Sequence, residues 1–181
     1  MMLAHVHGQT LNFSELGRAF GASNHTVAGY TDLLASTFMV RLLQPWFENI
    51  SKRQVRAPKL YFRDSGVLHS LLGIESHEAL DTNPSVGASW EGFAMETVIR
   101  SLELDSKDCF FWATHAHAEL DMLAFRKGQR LGFEFKRTTA PKVTPSMRIP
   151  LEDLKLKHLY VALRETRNSR SRKMSPRSTS S

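Results

Sequence analysis

The chain has 181 residues, 24 Lys and Arg against 18 Asp and Glu, a formal net charge of +6 and 41% apolar residues. That apolar share is enough to build cores, and no apolar run approaches the roughly 18 residues a membrane-spanning helix needs. The lone Cys109 excludes an intramolecular disulfide, and Met1 is not followed by a basic segment and a long apolar stretch of signal type, so the expected location is cytoplasmic, with no membrane partner.

From the amino terminus, Ser14 is expected to cap a helix to Phe20, Gly21-Ala22-Ser23 to make a turn, and Ser23 to cap a second helix through about Ser36. Leu16, Phe20, Val27 and Tyr30 fall at inward positions, which is a helix-turn-helix layout. The outward positions of the second helix are Asn24, His25, Ala28, Thr31 and Asp32. Asn and Thr can contact bases, but with neither Arg nor Lys present, a rigid connector or partner-binding use stays open beside DNA contact. Residues 39–46 and 59–62 read as strands around a wing-like loop. Segment 41–63 holds six basic residues (Arg41, Lys52, Arg53, Arg56, Lys59, Arg63) and one acid, Glu48, a balance of +5. The candidate nucleic-acid contacts are Asn24, His25, Thr31, Arg41, Lys52, Arg53 and Arg56, the basic ones gripping phosphates.

A short helix is expected from Asp64 to Leu72, closing a first domain over 1–73, with a linker over 74–86 marked by Asp81, Asn83 and Pro84. From Ser89 to Leu104 apolar residues recur at helical spacing, and Ala94, Met95, Val98 and Leu102 form one stripe. Glu91 falls in the middle of that stripe, while Glu96, Arg100 and Glu103 fall opposite. An inward carboxylate needs a partner, which marks Glu91 as a candidate ligand. The plainer alternative is a first-turn acid that suits the helix dipole behind a Ser89 cap.

Cys109 stands beside Phe110, Phe111 and Trp112, a buried strand to which no chemistry is assigned. His115 and His117 lack a second ligand pair at zinc spacing and read as a turn lining a cleft. Residues 118–136 alternate polar and apolar about Lys127-Gly128, the signature of a β-hairpin. Centred there, opposing residues have numbers summing to 255: Asp121 faces Glu134, Glu119 faces Lys136 and Met122 faces Phe133. Leu120, Met122 and Ala124 then share a face with Leu131, Phe133 and Phe135, and Glu119, Asp121, Glu134 and Lys136 share the other. Opposed like charges need a compensating cation, either Lys136 or a hard divalent ion such as magnesium or manganese. A solvated face with an ordinary Glu119–Lys136 pair is the alternative. A helix at 149–156 and a strand from His158 to Leu163 complete a domain over 87–163. The tail, 164–181, has six basic residues against Glu165 and neither aromatics nor periodicity, so disorder is expected there.

The order of helix Glu, strand Asp, hairpin and strand Glu-x-Lys resembles the PD-(D/E)XK nuclease superfamily, with Leu120 where its name puts Pro. That resemblance implies magnesium or manganese held by Glu91, Asp121 and Glu134, with Lys136 positioning the attacking water. A closer resemblance covers about 3–163. Tyr61-Phe62-Arg63-Asp64-Ser65-Gly66-Val67-Leu68, Gly87-Ala88-Ser89-Trp90-Glu91-Gly92-Phe93, the Thr114-to-Asp121 segment and Glu134-Phe135-Lys136 are similar to the C-terminal region of bacterial and archaeal AAA+ family ATP-binding proteins. There a winged helix and a nuclease-like domain follow an ATPase domain. This chain has no Gly-x-x-x-x-Gly-Lys-Ser/Thr loop, so it resembles the C-terminal portion alone. The implied fold is α+β or α/β: a winged helix-turn-helix followed by a restriction-endonuclease-like mixed sheet flanked by helices. Three functions follow as expectations: a metal-dependent nuclease acting on DNA, a noncatalytic DNA-binding module, or a piece that docks on an ATPase domain or another protein.

Overall fold

The computed structural model describes residues 2–138 and 145–164. The two-residue turn predicted at Lys127-Gly128 has both residues at positive φ, 50° and 74°. This is the twist that joins antiparallel strands with a tight loop, and glycine takes the second position without steric cost. It connects β5 (Glu119–Arg126) to β6 (Gln129–Lys136). The ladder runs in the expected register, Met122 against Phe133 through Arg126 against Gln129.

Around this hairpin the described residues form a mixed α+β structure with a seven-stranded sheet. The other strands are β1 (Gln9–Thr10), β2 (Val40–Pro45), β3 (Lys59–Phe62), β4 (Cys109–Ala113) and β7 (Leu159–Leu163), in the order β1-β3-β2-β4-β5-β6-β7. The helices are α1 (Phe13–Phe20), α2 (Asn24–Ser36), α3 (Ser65–Leu71), α4 (His77–Thr82), α5 (Val86–Ser101) and α6 (Pro145–Asp153). The β2–β4 and β6–β7 pairs are parallel and the rest antiparallel. The sheet therefore passes from the amino-terminal strands into the carboxyl-terminal ones at Gln44–Phe110 and Pro45–Phe111.

Caps explain most helix starts. Asn12, rather than Ser14, accepts from the Glu15 N–H and begins α1 two residues early, while Ser23 caps α2 as expected. Asp64 and Ser76 cap α3 and α4, the latter a helix inside the expected linker. The Ser89 cap does not form. Helix α5 starts three residues earlier, and Ser89 is buried one turn in, bonded to His69 at 2.7 Å.

Three expectations about facing fail for identifiable reasons. Leu16 and Val27 pack with Leu60, Phe62 and Leu68, but Phe20 and Tyr30 are 43% and 60% exposed, because only one side of the α1–α2 pair is covered. Glu96 is buried instead of outward, since Arg41 and Arg63 meet α5 on the side away from its apolar stripe. Leu120 does not share the face of Met122. It packs with Trp112, Leu123, Leu154 and Leu156, whereas Met122 joins Met95, Phe133 and Phe135. Between the pairs Phe110–Leu123 and Trp112–Leu120, β5 has one more residue than β4. That bulge at Asp121-Met122 breaks the alternation. The expected tail beyond residue 164 lies outside the described residues, apart from its first residue, Arg164.

Candidate functional site: a cluster of carboxylates and lysines

Asp121 is at the centre of the cluster. The bulge places it where its Oδ2 accepts the Phe135 backbone N–H at 2.8 Å, so the side chain occupies a bond that would otherwise belong to the ladder. Lys136, two residues beyond Glu134 on the same strand, points its ammonium at Glu134 (2.7 Å) and at Asp121 (3.7 Å). Asp121 and Glu134 are buried, and Lys136 is 40% exposed.

Glu91 enters from the second turn of α5. Its inward orientation, inferred from the apolar stripe, holds: Tyr61 donates its hydroxyl to Glu91 Oε1, and Lys59 Nζ stands 3.7 Å from the same oxygen. Lys59 also bonds Glu119. The Glu119–Lys136 ion pair of the alternative reading does not form; Glu119 bonds Lys59 instead, and Lys136 contacts Glu134 and Asp121. Four acids and two ammonium groups share one region, with Glu91, Asp121, Glu134 and Lys136 among them.

Burial and mutual repulsion govern protonation here. Burial, then the Asp121 charge, pushes Glu91 up to about 7 against the pull of Lys59 and Tyr61. Glu134 is pushed up to about 7 by burial and Asp121, against Lys136. Burial also raises Asp121, opposed by Lys136 and the Phe135 N–H. Burial disfavours the charged lysines, but the acids outweigh it: Glu91 and Glu119 hold Lys59 above its ordinary value, and Asp121 and Glu134 do so for Lys136. Buried Tyr61, facing Glu91, stays a donor.

The donor chemistry of Glu91, Asp121 and Glu134 fits a hard cation. Among the described residues, however, no three His, Cys, Asp or Glu side chains stand together as a group that could hold a metal ion. The two ammonium groups supply the nearby positive charge in this arrangement.

Lys59 and Tyr61 were missed as site residues because they belong to the amino-terminal region. A signal existed: a Lys and a Tyr two apart on an otherwise apolar strand share one face. Leu60 and Phe62 fill the opposite face, packing with Leu16, Val27 and Leu68.

The expected nucleic-acid contacts divide. Arg41 is buried, with its guanidinium on Glu96 at 2.5 and 3.1 Å and on Ser106 at 2.9 Å, which removes it from a phosphate-gripping surface. Thr31 is likewise buried and bonds the Ala28 carbonyl. Lys52 pairs with Asp153 at 2.6 Å. Asn24 bonds Ser14, and His25 is exposed. Arg53 and Arg56 are exposed on the loop after β2. The Arg53 carbonyl accepts from His115 N, and Val55 N donates to Ala113 O, so this loop borders the 114–118 turn that leads into Glu119 and Asp121. The His115–His117 segment is that turn, as expected, with His117 at φ 63°. Trp112 is fully buried, a core residue rather than a stacking platform. A separate cavity of about 580 Å³ lies between α5 and the hairpin turn, lined by Val98, Leu102, Leu131, Phe133 and Tyr160, and none of the four acids lines it.

Comparison with known proteins places this geometry in two matched segments. Residues 1–78 match a family model described as Domain of unknown function (DUF8612), and residues 86–177 one described as Domain of unknown function (DUF4143). The gap between the matches falls inside 74–86, where the linker is expected. Uncharacterized proteins of Mycobacterium tuberculosis (strain ATCC 25618 / H37Rv) and Mycobacterium bovis (strain ATCC BAA-935 / AF2122/97) are each 46% identical over 160 residues, covering 88% of this chain and 36% of theirs. The chain thus spans about a third of the length of these curated relatives. No solved structure matches.

Proposed function

Because the chain belongs to the family described as Domain of unknown function (DUF4143), we infer its activity from its own side chains and propose a metal-assisted phosphodiesterase of PD-(D/E)XK type acting on DNA. The amino-terminal segment would serve as the winged-helix module that holds the nucleic acid. The observation that carries this reading is the junction made by Lys136, whose ammonium meets Asp121 and Glu134 from adjacent strands beside Glu91. Magnesium or manganese held by Glu91, Asp121 and Glu134 would neutralise phosphate charge and acidify a bound water. Lys136, half-exposed and oriented by two carboxylates, is placed to steady a hydroxide or the charge that develops on phosphate. Arg53 and Arg56 supply exposed positive charge on the loop bordering the entry to β5. In a longer protein this portion would accompany an AAA+ ATPase domain, a reading supported by the sequence resemblance and by the larger size of the relatives.

Cleavage of labelled double- and single-stranded DNA with magnesium or manganese tests the activity. Glu134→Ala and Lys136→Ala are each expected to lower the rate by at least a hundredfold while the chain stays folded. Cleavage by the wild type that survives both substitutions would sink the assignment.

One observation favours a second reading, a noncatalytic docking module. Helix α2 presents Tyr30 and Leu33, each 60% exposed, where a base-reading helix would carry polar groups. Absence of cleavage by a folded chain would support it.

A further inference from the structure

The cavity of about 580 Å³ between α5 and the hairpin turn falls within the range of about 300–1,000 Å³ typical of small-molecule sites. Val98 and Leu102, one turn apart on α5, line it together with Leu131 and Phe133 of β6. Tyr160 of β7 adds a further wall, its ring stacked on Phe133 with centroids 5.4 Å apart. Thr97 and Ser101, also one turn apart, line it with short side chains where longer ones would fill the space. Phe133 is buried, but Val98, Leu102 and Leu131 are only half-buried and Tyr160 is 48% exposed, so the described residues leave this apolar wall open to water.

Charge identifies what would cover it. Arg126 and Lys127 line the same cavity, both exposed and neither in an ion pair among the described residues. The turn holds them in place, since Arg126 pairs with Gln129 in the ladder and Lys127 takes the left-handed conformation that the turn requires. Among the described residues no Asp or Glu lines the cavity. An apolar wall with two uncompensated cations beside it selects an apolar body that carries a negative head. We propose that the cavity is a binding site for a medium-chain alkyl carboxylate, whose hydrocarbon lies along Val98, Leu102, Leu131 and the Phe133–Tyr160 pair and whose head meets Arg126 and Lys127. The hydrocarbon gains by leaving water, and the head accepts charge-assisted hydrogen bonds. This site is separate from the carboxylate cluster and does not depend on the function proposed for it.

Calorimetric titration of the full chain with sodium dodecanoate, below its micelle concentration, tests the proposal. The wild type is expected to bind one equivalent. Ser101→Phe, which fills the cavity from an exposed helix position, should abolish binding, and the Arg126→Gln, Lys127→Asn double variant should weaken it at least tenfold; Asn tolerates the positive φ at 127. Dodecyltrimethylammonium, with the same chain and a cationic head, should bind at least tenfold more weakly than dodecanoate. Equal affinity for the two heads would overturn the charge selection, and dodecanoate binding that survives in folded Ser101→Phe would overturn the location. No binding by the folded wild type would show that the cavity takes no such ligand and would overturn the proposal. Should Ser101→Phe fail to fold, Thr97→Leu, one turn earlier on the same wall, takes its place in the comparison.

Discussion

A carboxylate buried by one element and neutralised by another couples the two, and Glu96 is the clearest case in this chain. It lies on α5, and its two oxygens take the Arg41 guanidinium of β2 side-on, with Arg63 at 3.4 Å completing the set. Removing one partner of such a pair leaves the other charge buried without compensation, which costs about 3–5 kcal/mol. Glu96→Ala is therefore expected to lower the urea-unfolding free energy by that amount, whereas Glu103→Ala, at an exposed position just beyond the end of α5, should change it by less than about 0.5 kcal/mol, as ordinary exposed substitutions do. Equal effects would show that the pair contributes no more than a surface contact. The sequence marked Arg41 for phosphate and Glu96 for solvent. Helical periodicity identifies an apolar stripe, but it does not reveal that a second structural unit will cover the opposite side with arginines.

Elements were more legible than their contacts. The hairpin, its turn and its register follow from Lys127-Gly128 and the flanking alternation, and the Glu-x-Lys pair follows with them. The bulge was hidden, although Leu120, Met122 and Leu123 already break strict alternation; two of them must then fall on one side of the strand. A second hidden contact joins the amino terminus to α5. His7 accepts the Phe62 N–H through Nδ1 and bonds the Ala88 carbonyl through Nε2, and a Cβ at Gly92 would stand 2.9 Å from its ring. Burial, with a contribution from the charge of His69 and against the Ala88 bond, lowers His7 from 6.5 to about 4. Above pH 6.5 it is neutral folded or unfolded and has no effect on pH dependence. As pH falls from 6.5 towards 4 the unfolded chain takes a proton that the folded chain refuses, so up to about 3 kcal/mol of stability is lost. His7→Gln should be less stable at pH 7, yet its difference from the wild type should shrink between pH 7 and pH 4.5. A difference constant with pH in paired urea titrations would refute the buried neutral imidazole.

On the scale of the whole molecule, one sheet runs from β1 to β7 through the segments that two family models divide. The loop that carries Arg53 and Arg56 is anchored to the turn before β5, so under the proposed function a phosphate chain held there would be led towards Asp121 and Glu134. Overall charge was a poor guide to this surface. Of six basic residues in 41–63, Arg41, Lys52, Lys59 and Arg63 face acids, and Arg53 and Arg56 have no ion pair among the described residues. If these two arginines grip phosphates, the Arg53→Ala, Arg56→Ala double variant should weaken DNA binding and reduce the slope of log K against log salt by about 2, since each phosphate contact releases close to one counterion. Tyr30→Ser should leave that slope unchanged, because an aromatic side chain displaces no counterion. The docking alternative gives the opposite pattern: the arginine variant would keep the wild-type slope, and Tyr30→Ser would alter only association with protein. Fluorescence anisotropy of one labelled duplex across 50–200 mM salt separates the two, because the slope counts charges at the interface whatever the absolute affinity.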